Sequence, residues 1–474
     1  MNKSAHYNKY LRGVKELLYR PRIFLCYIIL VLLGCNCNVT TQVNDETSAF
    51  SACYDDYLAA KAAILQNDAV VKKDKTGDCF FFITDTHFQN EYNNAGNSGK
   101  LIDYLASNTS FDKIIHGGDS GGLSNEEGCL GYGYIMQSIE WFKERLLKYV
   151  TKYGFLNVHG NHDYNNFFNI EGTDFRGLSI PMVRKYILGS NTLPFVTDEQ
   201  NPNGIYYYYD NDASKLRYII VDSEQDSETG RMYMDNLFQL AWIVNSIKSL
   251  PPNYDLVFIT HCPIEVTVDI TGEYQVFSNL LTLIRAVNNH RKGVIGGIDF
   301  DFTNSQCKVV MVLSGHTHMD NATLVDNVLH VTTKCDKMDT TYPMISPFDI
   351  WAERIRGTYH EQAFDAITIY NSHSDIQFRR IGDGHDRLFH TKIKKMAVGE
   401  TIDLSLMTEI KTCTWVTNDC TGNTYSSELG WTLSNTILSV DTSGNVTALS
   451  PGEAFVIAKD VLENKEFFYI KVID

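Results

Sequence analysis

Basic residues are in the minority: 41 Lys and Arg stand against 57 Asp and Glu, for a net charge of −16. Nucleic-acid polymers are held in basic grooves, so no partner of that kind is expected. Paired Cys-x-x-Cys spacing is missing as well. The nine cysteines beyond residue 35 scatter over 37, 53, 79, 129, 262, 307, 335, 413 and 420, which argues against a zinc finger. Cys413 and Cys420 are the closest pair in the C-terminal part, and an odd number leaves a thiol unpaired. The bias of a disordered chain is absent too, with 44% hydrophobic and 21% charged residues. At 474 residues, the chain has room for more than one domain.

What positive charge there is gathers at the start. MNKSAHYNKYLRGVKELLYRPR carries six Lys or Arg and one Glu, and an apolar run of eleven residues follows from Ile23 to Leu33. A membrane-crossing helix needs about 20 such residues. A basic start, a short apolar run and a small residue read instead as a secretory signal. Leu32-Leu33-Gly34-Cys35 resembles the lipobox of bacterial lipoproteins. That resemblance implies a signal peptide over 1–34, lipid on Cys35, a tether over 35–48, and an exported protein anchored to a membrane of the cell envelope. Losing six basic residues and one acidic residue would take the net charge from −16 to −21. A small anionic substrate then needs local positive charge, which metal ions can supply.

From residue 49 the pattern alternates. CFFFITDTHF, FDKIIHGGD, FLNVHGNHD, LRYIIVDS, YDLVFITH and CKVVMVLSGH read as buried strands, with helical patterns between them. Ser98 is a candidate N-cap of the helix SGKLIDYLASN. GIYYYYDNDASKLRYIIVDS reads as a hairpin, so the sheets are mixed. The expectation is a layered α/β domain over 49–392. After about His390 only short strands with turn residues remain, which read as a small β-sandwich. ILSVDTSGNVTALSPGEAFVIA resembles the group 2 bacterial immunoglobulin-like domain, implying an all-β module over 397–474.

Chemistry-bearing residues recur at the strand ends. They are Asp85 and His87 in TDTH, Asp119 in HGGD, Asn161, His162 and Asp163 in GNHD, His261 in FITH, and His316 and His318 in GHTH. The i, i+2 pairs would lie on one side of an extended chain. A lone Asp after a strand is usually a turn former, but five such signals together point to one crevice at the carboxyl ends of the strands.

The series D-x-H, G-D, G-N-H-D, H and G-H-x-H resembles that of calcineurin-like metallophosphoesterases, over residues 76–390. The resemblance implies a sandwich of two mixed β-sheets flanked by helices. It also implies a binuclear metal centre, with one ion on Asp85, His87 and His318, the other on Asn161, His261 and His316, and Asp119 between them. His162 would be a catalytic group beside the substrate, oriented by Asp163. Two cations in such a site make water acidic enough to attack a phosphoester at neutral pH. Nitrogen and oxygen donors favour divalent Mn, Fe, Zn or Ni. Gly122 stands where purple acid phosphatases have a tyrosine, so an iron–tyrosinate centre is not expected.

His116 and His159 read as buried supports of the ligands. Cys262 would point away from the site if its strand continued, and RRIGDGHDR (379–387) reads as a surface turn. The expected activity is hydrolysis of a small or lipid-linked phosphomonoester or phosphodiester. The alternative is an adhesion or scaffold protein in which the immunoglobulin-like module, its partner unknown, does the binding. No expected ligand lies beyond His318, so the last 75 or so residues are expected to be dispensable for catalysis on small substrates.

Overall fold

Apolar runs and alternating patterns resolve into two mixed sheets packed face to face. The computed structural model describes residues 52–474 apart from 74–76, 89–96, 122–131, 164–177, 225–235, 265–266, 269–273, 276–277, 326–327, 338–353, 355–357, 371, 411–413 and 420–436. The expected signal peptide, Cys35 and the tether lie outside the described residues, as do Cys413 and Cys420.

The strands begin with β1 (Asp78–Ile83), β2 (Lys113–His116), β3 (Gly154–Asn157), β4 (Val196–Thr197), β5 (Tyr207–Asn211), β6 (Leu216–Val221) and β7 (Asp255–Thr260). Two short hairpins follow, β8 (Thr267–Val268) with β9 (Tyr274–Gln275) and β10 (Lys292–Ile295) with β11 (Ile298–Asp301). Next come β12 (Val309–Ser314), β13 (Asn321–Val325), β14 (Val328–Thr332), β15 (Ala363–Ile369), β16 (Asp375–Gly382) and β17 (Arg387–Ala397). The last are β18 (Thr401–Asp403), β19 (Thr414–Asp419), β20 (Leu438–Val440), β21 (Asn445–Ala448), β22 (Gly452–Lys459) and β23 (Lys465–Ile473). One sheet runs β19-β22-β23-β17-β16-β15-β1-β2-β3, and the facing sheet runs β13-β14-β12-β7-β6-β5-β4.

Period-2 side chains explain the packing. In β6, Tyr218 and Ile220 join the core between the sheets. Ile219 and Val221 point the other way, beneath the helices Leu237–Lys248 and Ser278–Asn288. The strands β1, β2 and β3 are parallel, as are β6, β7, β12 and β14. Their carboxyl ends therefore share one edge of the sandwich.

Two local expectations change. Ser98 is not a cap: its hydroxyl donates to Asp336 Oδ2 at 2.7 Å. RRIGDGHDR is not a surface turn either, because Arg380 and Arg387 are buried and paired with Asp365 and Asp320. Four opposite charges satisfy one another there, which is what makes their burial tolerable.

The expected module boundary at 392–397 falls within β17. That strand pairs with β16 on one side and, in parallel, with β23 on the other. Of the strands that follow, β19, β22 and β23 thus extend the first sheet, while β18, β20 and β21 form a small one apart. They do have a core of their own, where Met396, Leu404, Val446, Val456 and Ile470 meet beneath the small sheet β18-β21-β20. The opposite face of β22 and β23 presents Phe455, Ile457, Phe467 and Tyr469 to the central core, and Phe389 stacks on Phe467 at 4.6 Å. The dispensability expected from ligand positions alone overlooks this packing.

Candidate metal centre

The D-x-H and G-H-x-H residues lie just beyond the strands, not within them. Asp85, His87, Asp119, His316 and His318 have φ of 53°, 43°, 55°, 70° and 60°. Left-handed backbone is unfavourable for residues with a Cβ and concentrates at functional sites. The i, i+2 pairs therefore converge through turned loops rather than through strand alternation. The loops are locked to one another: Asp85 N donates to Gly118 O at 3.0 Å, His87 N to Asp119 O at 3.0 Å, and Gly315 N to His261 O at 2.9 Å. Close approach demands glycine at two points. A Cβ on Gly160 would come within 2.3 Å of Asp119 N, and one on Gly315 within 2.1 Å of Thr84 Oγ1.

The loops bring the seven expected ligands together. Ligand atoms of Asp85, His87 and His318 lie within 4.8 Å of one another, as do those of Asp85, Asp119 and His261. Asn161 Oδ1 is 3.0 Å from both His261 Nε2 and His316 Nδ1. Asp119 Oδ2 stands between the two groups, 3.2 Å from His261 Nε2 and 3.7 Å from His87 Nε2. His316 and His318 part company: His316 faces Asn161, while His318 Nε2 is 3.1 Å from His87 Nε2.

These donors suit cations. Asp85 Oδ1 is buried without a hydrogen bond among the described residues, 3.3 Å from His318 Nε2 and 3.9 Å from His261 Nε2. Burial opposes ionisation of Asp85 and Asp119, but the surrounding imidazoles hold both carboxyls below the usual range. Burial likewise disfavours a charged His261, yet Asp119 and Asp85 push its pKa up to about 10. Burial keeps His87 and His316 near 3, as lone-pair donors. The two carboxylates attract a cation and His87 and His316 offer it neutral nitrogen, while His261 would release its proton on binding one.

His162 borders this cluster, its ring 5.1 Å from that of His87 and its Nε2 3.9 Å from Asp119 Oδ2. The Asp163 carboxylate, expected to orient His162, is engaged by the loop beside it. The Asp163 carboxylate accepts the backbone N–H groups of Gly160, Asp119 and Ser120 at 2.9, 3.2 and 3.0 Å, and the Ser120 hydroxyl at 2.6 Å. Asp163 therefore shapes the loop that carries Asp119.

His116 and His159 are buried supports. His116 Nδ1 meets Asn157 Oδ1 at 3.0 Å, and His159 Nδ1 meets Asp222 Oδ1 at 2.8 Å. Asp222 and Glu224, just past β6, were missed by sequence reasoning. Their signal was an acidic pair directly after a buried strand. Cys262 also departs from expectation: its ligand atom lies within 4.8 Å of those of His261 and His316. The strand ends at Thr260, and the chain bends before Cys262, with Thr260 Oγ1 donating to Cys262 O at 3.1 Å.

No curated protein matches the chain. Among solved structures, GAP50, described as the anchor in the inner membrane complex of Plasmodium, is 12% identical, with 65% of this chain and 84% of that chain covered and a TM-score of 0.35. Phosphopantetheinyl hydrolase from Mycobacterium tuberculosis is 11% identical, covering 57% of this chain and 98% of that chain, with a TM-score of 0.30. The family model for calcineurin-like phosphoesterases matches residues 80–320. That span is just over half of the 474 residues and contains all seven expected ligands, and the chain belongs to the calcineurin-like phosphoesterase family, as a metal-dependent phosphoesterase.

Proposed function

We propose that this chain hydrolyses a small phosphomonoester or phosphodiester at a binuclear centre. Asp85, His87 and His318 would hold one divalent ion, Asn161, His261 and His316 the other, with Asp119 shared. The observation that carries this reading is Asp119 Oδ2, which stands 3.2 Å from His261 Nε2 and 3.7 Å from His87 Nε2. Bound ions would polarise the phosphoryl group and supply a nucleophile at neutral pH. The chain's own part is to keep His87 and His316 unprotonated and to hold Asp85 with hydrogen bonds from Thr84 Oγ1 at 2.6 Å and His316 N at 2.9 Å. His162, 18% exposed, is an imidazole at the rim of the cluster, where it orients the ester or protonates the leaving group.

The N-terminal sequence supports an exported, lipid-anchored protein, and the small second core supports an immunoglobulin-like module at the C-terminus. Unchanged processing and membrane retention in Cys35→Ser would rule out the anchor.

The test of activity is hydrolysis of mono- and bis-nitrophenyl phosphate by metal-stripped protein resupplied with Mn, Zn, Ni or Fe(II). Cleavage of at least one ester above the metal-only rate is expected. Protein that binds two ions and cleaves neither would defeat the reading.

A further inference from the structure

We propose that Cys262 is an additional metal ligand, its sulfur joining Asn161, His261 and His316 on one ion. The inference rests on the metal centre described above and adds a donor to it. Three observations carry it. The ligand atoms of His261, Cys262 and His316 lie within 4.8 Å of one another, and Cys262 is fully buried. Zinc takes nitrogen at about 2.0–2.1 Å and sulfur at about 2.3 Å, so donors on one ion stand about 3.5 Å apart, within reach of small side-chain adjustments. Second, the thiol donates to Glu224 Oε1 at 3.2 Å. That contact holds the sulfur in place beside the two imidazoles. Third, the shared carboxylate Asp119 Oδ2 lies 3.2 Å from His261 Nε2, so a cation is already expected beside that ring.

A sulfur donor changes which metals the site prefers. Oxygen and imidazole donors accommodate manganese readily, whereas thiolate favours softer ions such as zinc and cadmium. The second ion would therefore be the softer of the two, and the centre asymmetric.

The test is cobalt(II) substitution of the full chain, reading cobalt content and the near-ultraviolet spectrum. Two cobalt ions per chain are expected, with a thiolate-to-cobalt charge-transfer band that Cys262→Ser removes while both ions stay bound. Cadmium affinity relative to manganese should fall by about tenfold or more in that variant, the scale on which even outer partners of a ligand act. Should Cys262→Ser fail to fold, Cys262→Ala and the wild-type spectrum decide. A two-cobalt wild-type protein without the band overturns the proposal. So does a band that survives the substitution, which would belong to another thiol such as Cys79, Cys307 or Cys335. Failure to take up any cobalt overturns the metal centre itself, and this ligand with it.

Discussion

The loops at the strand ends and the C-terminal strands reach order by opposite means. In the loops, five expected ligands adopt left-handed backbone, and hydrogen bonds between neighbouring loops hold them there. In the C-terminal strands the backbone is extended and paired, and order comes from two apolar faces: Phe455, Ile457, Phe467 and Tyr469 on one, Val456, Phe468, Ile470 and Val472 on the other. Left-handed residues cost of order 1–3 kcal/mol each and persist only where surrounding structure dictates them. The chemistry is thus concentrated in the part that is locally unfavourable. The part without ligands helps build the sandwich that holds it.

If that division is right, removing the C-terminal strands has the largest effect. Truncation after residue 395 strips four large side chains from the central core and leaves Phe389 uncovered. At about 1.5–3 kcal/mol per buried side chain the loss is about 6–12 kcal/mol, as large as the whole stability of many domains. The truncated chain should be insoluble or unfolded by circular dichroism. A soluble truncation with the parent's urea midpoint would show the two cores to be independent.

Within the loops, Asp119→Asn should be nearly as damaging to activity and mild for the fold. It removes the carboxylate that faces both ligand groups. Both ions should weaken, and kcat/KM should fall about 10³-fold or more, several kcal/mol of charge stabilisation. Metal analysis and a melting curve separate these effects: full metal content with full activity would end the claim of a shared ligand.

His162→Ala sharpens the contrast again, because its imidazole sits at the rim, 3.9 Å from Asp119 Oδ2. It should retain both ions and lose about 10²-fold in rate, toward the lower end of general-acid effects. Burial lowers the imidazole's pKa, with Asp119 opposing, so only part of the population carries a proton at neutral pH. Poor leaving groups should suffer more than nitrophenolate. An equal loss on both would assign His162 to phosphate positioning alone.

The same contrast decides what the sequence could reveal. Ligands were legible because few side chains bind divalent ions and each followed a strand that hydrophobicity marks clearly. Their backbone was not, since turned loops leave no periodic trace; the extended-chain reasoning for His316 and His318 brought them together for the wrong reason. Cys262 was misplaced for the same cause, as alternation stops where β7 stops. The β17–β23 pairing was hidden because it joins Arg387 to Lys465, and long-range register is not written in local pattern. Burial of Arg380 and Arg387 depends on Asp320 and Asp365, likewise distant in sequence.

The smallest effect concerns the seam between the regions. His390, in β17, donates toward Asp375 Oδ1 at 2.8 Å and toward Glu466 Oε1 at 2.7 Å, and stacks on Phe468 at 4.7 Å. Burial disfavours its charge, but the two carboxylates raise its pKa from 6.5 to about 9. A raised folded-state value stabilises the fold fully below the unfolded pKa, and that stabilisation is lost as pH climbs through the folded one. The window is therefore 6.5 to about 9. The shift corresponds to about 3 kcal/mol at most. Because the imidazole is 24% exposed, solvent screening should reduce it to about 1–2 kcal/mol. Urea unfolding of wild type and His390→Gln should show that gap at pH 6 and its near closure at pH 9.5. Taking the difference cancels every other group that titrates in the same range. A gap that does not change with pH would mean that His390 holds the seam by packing on Phe468, and that its charge contributes nothing.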